Sequence, residues 1–300
     1  MRTLRSPCMP VFDSERYLES AVRSILDQTY SGFELIISDN ASTDRTEEIC
    51  LDLAAQDRRI KYARNPRNLG AAGNYNRLFE MATGRYFRWA NADDISAPEL
   101  HAKCLAVLEA HPEAVLAYGK TSIIDSDGVV TSNYDDNMDL RQQRPSDRYM
   151  RFWESVGLTN VIYGLMRTSA LRQTALMGDG RFPAADTTFM AELTLYGKFI
   201  EIPECLFFRR MHPEAVSWDR NDEQRRAQFW NSGATRFTLP TWKFHFAALR
   251  AIRAAPIDHK EKRRTLAHAL RRMIWSRNHL LRELAGTLTP RLGRNLQPRK

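Results

Sequence analysis

No stretch of this 300-residue chain approaches the ~18 consecutive apolar residues that a membrane-spanning helix needs. The opening MRTLRSPCMPVF holds no apolar core of the kind a secretory signal carries, so the expectation is a cytoplasmic protein. Cysteine is scarce. Cys8, Cys50, Cys104 and Cys205 are scattered without a C-x-x-C pair, which offers neither a zinc site nor a disulfide framework and suits thiols of a reducing compartment. Glycine-rich phosphate cradles are missing as well. No G-x-G-x-x-G follows the first predicted strand, NLGAAG comes too late and with the wrong spacing, and there is no P-loop. SDNAST has Ala41 where an aspartyl-nucleophile phosphatase would place its second aspartate. Internal repeats and low-complexity segments are also absent.

The composition, 43% hydrophobic and 27% charged, is that of an ordinary globular protein long enough for one large domain or a domain with an appendage. The net charge of +8 is unevenly spread. Residues 241–300 hold fifteen Lys and Arg against three Asp and Glu, an excess of +12 that leaves −4 on residues 1–240. A basic block of this kind suits an anionic partner.

From about residue 15 to 120, helical and strand-like patterns alternate. ERYLESAVRSILDQT, DRTEEICLDLAAQ, AAGNYNRLFEMA and APELHAKCLAVLEAH read as helices, the second with Asp44 and Glu47 at capping-box spacing. FELIIS, IKYAR, RYFRWAN and AVLAYG read as strands between them. Such alternation predicts β-α-β units and a mostly parallel sheet covered on both faces. Residues 121–133 suggest a hairpin around Ser126-Asp127-Gly128, 146–157 a helix, 160–169 a strand, Asp186–Tyr196 a helix, and KFIEIP and CLFFRRMH two strands. Beyond about 220 the pattern is basic and helical, and the last residues read as frayed.

Ligands of open α/β sheets bind beyond the carboxyl ends of the strands. Three consecutive predicted strands end in DNASTD, NPRNLG and NADD, which gathers carboxylates, amides and a glycine on one edge. Asp93 and Asp94 are hard oxygen donors suited to Mg²⁺ or Mn²⁺ bridging phosphates. The competing reading makes them solvated turn residues, with Ser96 capping the next helix.

The blocks MPVFDSERYLESAVRSILDQTY, FELIISDNASTDRTEEIC, RNLGAAGNYN and WANADD resemble, in order and spacing, the N-terminal half of family 2 glycosyltransferases of the GT-A fold. IYGLMRTSALRQT, AADTTFMAEL and LFFRRMHPEAVS resemble the second half of the bacterial subgroup. The resemblance implies inverting transfer of a sugar from a nucleoside diphosphate donor, UDP- or GDP-linked, with Mn²⁺ or Mg²⁺. It places Pro10, Phe12, Glu15, Asp39, Asn68, Gly70 and Asp93 at the nucleotide, Asp39 reading the nucleobase. It assigns Asp94, Asp93 and His212 to the metal and diphosphate, and Asp186 to the catalytic base. Phe12 and Asp13 replace the family's usual Tyr and Asn, and Asn91 replaces its first acidic residue. Asp186 also suits an N-cap, Asp44 a loop cap, and His212 a surface histidine. MRTLRSPC puts Arg5 and Pro7 where the family has an apolar first strand, so that strand is expected to be degraded, since proline removes a ladder donor.

These features predict a GT-A catalytic domain over 1–218 and a basic helical extension over 219–300. In the extension Trp230, Phe237, Trp242, Phe244, Phe246 and Trp275 accompany the arginines. That mixture suits either an anionic membrane surface, on the inner face of the plasma membrane, or a helical cap packed on the body. No recognition motif for nucleic acid accompanies the charge. The expected acceptor is a glycan or lipid-linked hydroxyl of the cell surface. The rival readings are an inactive nucleotide-sugar-binding relative and a membrane scaffold acting through its tail.

Overall fold

The computed structural model describes residues 5–180, 182–215, 223–230 and 238–288. Its first part runs β1 (Arg5–Val11), α1 (Leu18–Leu26), β2 (Leu35–Asp39), α2 (Thr46–Gln56), β3 (Ile60–Arg64), α3 (Gly70–Met81) and β4 (Tyr86–Trp89). After β5 (Ile95–Ser96) and α4 (Leu100–Ala110) come β6 (Ala114–Ile124) and β7 (Val130–Tyr134), the predicted hairpin, with Gly128 at φ +87° in its turn. Then follow α5 (Pro145–Ser155), β8 (Leu165–Arg167), α6 (Thr168–Leu171), α7 (Ala185–Leu193) and β9 (Lys198–Arg210). The C-terminal part is helical: α8 (Glu223–Trp230), α9 (Pro240–Ala254), α10 (His259–Trp275) and α11 (Arg277–Leu288).

The strands form one sheet in the order β3-β2-β1-β4-β8-β6-β9-β5, with β7 on the side of β6. The β3-β2-β1-β4 portion is parallel, as is β6 with β9, while β8 enters antiparallel between them. Both faces are covered because successive residues of β1 point opposite ways. Met9 and Val11 pack with Val22 and Ile25 of α1 and Leu53 of α2, whereas Cys8 joins the main core around Phe87, Trp89, Phe152 and Phe199. A third cluster sets α4 against β6 and β9 through Leu100, Cys104, Ala117 and Ile200.

The first strand is formed, which corrects the expectation that Arg5 and Pro7 degrade it. Register explains how β1 tolerates two prolines. The Cys8 carbonyl accepts from Ala90 N–H beyond β4, so the Cys8 amide edge faces β4 and that of Pro7 faces β2. Pairing with β2 begins only at Cys8↔Ile36, so the N–H that Pro7 lacks has no position in that ladder. Pro10 faces β4, where pairing has already ended at Cys8↔Trp89. Each proline lies just outside the ladder its missing donor would have served.

Two further expectations change. Residues 160–169 do not make one strand. Thr159, in the left-handed conformation at φ +61°, turns the chain into a 3₁₀ turn (Asn160–Tyr163) before the short β8 and α6. KFIEIP and CLFFRRMH form a single strand, β9. Its pairing with β6 jumps from Gly119↔Ile202 to Lys120↔Cys205, so Pro203 bulges out of the ladder.

The boundary expected at 218/219, Phe237 and the C-terminal residues 289–300 lie outside the described residues. Ile252 of α9, Ala255 just beyond it and Ala269 of α10 belong to the main core, as do Trp230 and, at its edge, Phe244. The Glu261 carboxylate accepts from Ser146 N–H in the first turn of α5 at 3.0 Å, and Arg272 lies over the Trp153 ring at 4.1 Å. Phe246 and Trp275 are exposed.

If Pro7 fits β1 without strain, Pro7→Ala only enlarges the conformational freedom of the unfolded chain. It is expected to lower stability by about 0.4–1 kcal/mol in urea unfolding. A gain in stability would show instead that the proline disrupts the strand.

Candidate active site

The carboxyl ends of β1, β2 and β4 open onto one cleft of about 1270 Å³. Of the residues singled out from the sequence, Pro10, Phe12, Glu15, Asn68, Asp93, Asp186 and His212 line it, although they span two hundred positions of chain. Asp39, Gly70 and Asp94 do not.

The rim is built from the loops after β1 and β2, which hold each other by reciprocal hydrogen bonds. Glu15 N–H donates to the Asp44 carboxylate at 3.0 Å, and the Glu15 carboxylate accepts from Arg45 N–H at 3.0 Å. Asp13 accepts from Thr43 N–H at 2.7 Å while its own N–H donates to the Ser42 hydroxyl. Asp13 and Ala41 both sit in the left-handed region, at φ +46° and +65°, so the clamp sustains two uncommon backbone conformations. Asp44 serves both the clamp and the start of α2, where it accepts from Thr46 N–H at 3.0 Å, but no reciprocal capping box forms, since Glu47 pairs with Arg64. Phe12 stands 45% exposed on this rim, a free aromatic face beside polar backbone.

Asp39 behaves differently from expectation. One oxygen accepts from Ser42 N–H and Ser42 Oγ–H at 2.8 and 2.7 Å, the other from Tyr62 O–H and Arg64 at 2.8 and 2.9 Å. Fully buried, with both oxygens doubly occupied, it anchors the loop to β3 and offers no free acceptor to a nucleobase. The neighbouring Asn40 faces the cleft. Its side-chain oxygen accepts from Asn65 and Leu69 N–H, and its amide nitrogen donates to Asn68 Oδ1 at 2.9 Å. Asn68 in turn accepts from Gly70 N–H at 2.8 Å, and Gly70, at φ +74°, starts α3. The role of Gly70 is in its backbone, which no residue with a Cβ adopts readily.

The adjacent carboxylates Asp93 and Asp94 point apart. Asp94 is buried beneath the turn, accepting from Arg210 N–H at 2.8 Å and from the Asn91 amide at 2.9 Å. Burial, reinforced by the charge of Asp93, pushes its pKa up to about 7. Expected as a metal ligand, Asp94 does not line the cleft and instead holds the turn. Asp93 lines the cleft, and its Oδ2 lies 3.2 Å from His212 Nε2. His212 Nδ1 lies 2.9 Å from Glu214, which also pairs with Arg16. Hydrogen bonding to Asp93 and then Glu214 raises the histidine pKa against the opposing effect of burial. Among the described residues no three His, Cys, Asp or Glu side chains are grouped to hold a metal by themselves. A facing carboxylate and imidazole make two ligands, which fits an ion completed by substrate oxygens and water.

Asp186 sits half-buried in the first turn of α7, opening on the same cleft, and desolvation raises its pKa. It accepts from Thr187 N–H at 2.7 Å, one residue on. Both approaches to it are strained: Ala184, the residue before α7, has φ +63°, and Thr159 across the cleft lies 3.5 Å from the Thr187 hydroxyl. Arg209, which the sequence reading passed over within RRMH, lines the cleft. It donates to the Leu158 carbonyl and to Asn160 Oδ1, and its charge offsets part of the desolvation of Asp186. Tyr75 and Tyr163 were passed over too. They meet Asn91, which accepts from Tyr75 O–H at 3.2 Å and donates to Tyr163 Oη at 2.6 Å.

A Rossmann-like, mostly parallel sheet thus gathers carboxylates, a histidine and an arginine in one cleft at its strand ends. The family described as Glycosyl transferase family 2 matches residues 6–173, and the chain belongs to it. An uncharacterized glycosyltransferase of Haemophilus influenzae is 28% identical over 219 residues, 71% of this chain and 67% of that protein. Among solved structures, S. aureus TarS 1–349 in complex with UDP-GlcNAc matches with a TM-score of 0.66 at 17% identity, over 89% of this chain and 71% of that one. The mannosyltransferase PcManGT from Pyrobaculum calidifontis, in complex with GDP-Man and Mn²⁺, matches with a TM-score of 0.53 at 16% identity, over 97% and 88%. The fold is thus that of GT-A transferases, and the protein is a glycosyltransferase.

Because Asp39 is a buried, fully bonded anchor, Asp39→Asn should lower stability by about 2–3 kcal/mol in urea unfolding. A loss below about 0.5 kcal/mol would show that its carboxylate is not needed there.

Proposed function

We propose that this protein moves a glycosyl group from a nucleoside diphosphate-sugar to a hydroxyl acceptor with inversion at the anomeric carbon. The observation that carries the reading is the half-buried carboxylate of Asp186 at the start of α7, opening on the same cleft as Asp93, His212 and Arg209. A carboxylate with a raised pKa is a better base than a free aspartate and suits removal of the acceptor hydroxyl proton. The acceptor oxygen bonds to the anomeric carbon as the bond to the phosphate oxygen breaks, and the diphosphate leaves with the electron pair. Among the described residues the other carboxylates lining the cleft, Asp13, Glu15, Asp44, Asp93 and Glu214, are engaged in the rim clamp or with His212, which favours direct displacement over a carboxylate nucleophile, hence inversion.

On the donor side, Pro10, Phe12, Glu15 and Asn68 form the proposed nucleotide edge, with the Phe12 ring available to stack on the base. Asp93 and His212 are the proposed holders of Mn²⁺ or Mg²⁺, in line with the Mn²⁺ complex of the mannosyltransferase. A divalent ion there would supply charge neutralisation for the leaving diphosphate. The Arg209 guanidinium adds a fixed positive charge in the same cleft, held by two oxygen acceptors that set its orientation. UDP- and GDP-linked donors both have a counterpart among the structural neighbours. Asp39 and Asp94 support the site from beneath, since their oxygens are engaged within the protein.

The proposed acceptor is a hydroxyl of a cell-surface glycan or of a lipid-linked sugar, reached from the cytoplasmic side of the plasma membrane. No helix among the described residues is long and apolar enough to cross a membrane. Catalysis is assigned to residues 1–218, with 219–300 as an extension that completes the core.

Two experiments test this. Asp186→Asn should lower kcat by about 10²–10⁴-fold while leaving nucleotide affinity nearly unchanged. In the wild type kcat/KM should rise with pH through a value above the 3.8 of an ordinary aspartate, because only the ionised form accepts a proton. Retained turnover in the variant would remove Asp186 from the base role. Calorimetry with UDP and GDP should show binding that needs Mn²⁺ and disappears in Asp93→Ala. The Mn²⁺-dependent affinity should fall as pH drops through the raised pKa of His212, since the imidazolium cannot ligate a cation. Equal nucleotide binding with and without Mn²⁺ would argue against the ion.

A further inference from the structure

The C-terminal helices carry positive charge that their own carboxylates do not offset. All three acids between residues 240 and 288 are engaged as helix caps. Asp258 accepts from Glu261 N–H at the start of α10 at 2.8 Å, Glu261 accepts from Ser146 N–H on α5 at 3.0 Å, and Glu283 accepts from Thr241 N–H at the start of α9 at 2.8 Å. Of the three, only Glu261 also meets a basic side chain, Arg264 at 3.3 Å. Arg271, Arg277 and Arg282 are exposed and, among the described residues, have no carboxylate at ion-pair distance.

Large apolar side chains are exposed beside these arginines. Leu270 and Ile274 follow one another on the outward face of α10, one turn apart. Trp275 ends that helix, Ser276 turns the corner, and Leu281 continues on α11. Ile274, Trp275 and Leu281 are 61%, 66% and 63% exposed, values far from those of side chains that complete a core. Single exposed apolar residues are ordinary; this many at one helix corner, interleaved with arginine, are not.

We propose that the α10–α11 corner docks on an anionic membrane surface, with Ile274, Trp275 and Leu281 entering the headgroup boundary and Arg271, Arg277 and Arg282 meeting lipid phosphates. Charge complementarity selects this occupant. A second copy of the chain would set unpaired arginines against arginines. A nucleic acid would satisfy the arginines and leave the apolar side chains in water. A bilayer surface offers anions above and hydrocarbon below, matching both sets at once. The docking is independent of the transferase reading, because vesicle binding requires no turnover.

The test uses the full chain in vesicle flotation at physiological ionic strength, with phosphatidylcholine vesicles and with vesicles containing equal parts phosphatidylglycerol. Binding to the anionic vesicles should be at least tenfold stronger and should weaken with added salt. Arg271→Glu/Arg277→Glu/Arg282→Glu should lose at least tenfold of it, and Ile274→Ser/Trp275→Ser about tenfold. The single variant Trp275→Ser serves as a milder check, and melting temperatures are compared throughout, since every altered side chain is solvent-exposed. Absence of flotation overturns the proposal, as does equal binding to neutral vesicles, or unchanged binding in both multiple variants at wild-type melting temperature. So does sedimentation showing a dimer that Ile274→Ser/Trp275→Ser dissolves while vesicle binding persists.

Discussion

The site depends on a buried junction between Asp94 and the end of β9. The Asp94 carboxylate receives Arg210 N–H, and the Arg210 guanidinium donates in turn to the carbonyls of Asp93, Asp125 and Ser126. The same guanidinium lies 4.5 Å from the centroid of the Tyr17 ring. One arginine thereby binds the turn after β4, the tip of the β6–β7 hairpin and the start of α1. Asp93 meets His212 only because the turn that carries it is fixed to the strand that ends two residues before the histidine. Burial makes ionised Asp94 costly, and charge-assisted hydrogen bonds offset part of that cost.

Much of the parallel half of the fold was legible because periodicity reports burial, and its alternating helices and strands are buried on regular faces. Direction within a turn has no such signature. Asp93 and Asp94 are adjacent and chemically identical, yet one lines the cleft and the other lies beneath it. Asp39 and Asn40 divide in the same manner. The residue types at the strand ends announced a polar site, and only tertiary contacts decide which side chains face inward. Pro7 shows the converse limit. Its cost depends on which neighbour its amide edge faces and where that ladder begins, and a one-dimensional pattern contains neither fact. The stretch 160–169 was misread as a strand because its apolar run hides the reversal at Thr159.

Asn91 acquires a reason from the same geometry. Its amide nitrogen donates both to Asp94 and to Tyr163, and its oxygen accepts from Tyr75. A carboxylate at this position would have no N–H to give Asp94 and would face it as a third like charge beside Asp93. With the pKa of Asp94 already raised by burial and by Asp93, a further anion would favour its protonation. The amide keeps Asp94 hydrogen-bonded and leaves Asp93 as the carboxylate of the turn that lines the cleft. The substitution is therefore compatible with an intact site and gives no ground for reading the protein as a degenerate relative.

The C-terminal helices reach the proposed base through packing. Phe244 of α9 packs on Trp153 of α5 and on Phe182, with ring centroids 5.4 and 6.4 Å apart. Phe182 lies four residues before Asp186, and Ala185 and Phe189 of α7 belong to the same core as Ile252 of α9. Removing the helices would therefore expose the underside of the segment that carries Asp186. The division of charge along the chain does not coincide with a break in the core, which α7, α9 and α10 share. The acids of α10 and α11 bind those helices to α5 and α9 from within, and that inward use of carboxylates is what leaves the outer face basic. The same core that packs beneath the proposed base carries the arginine-bearing helices.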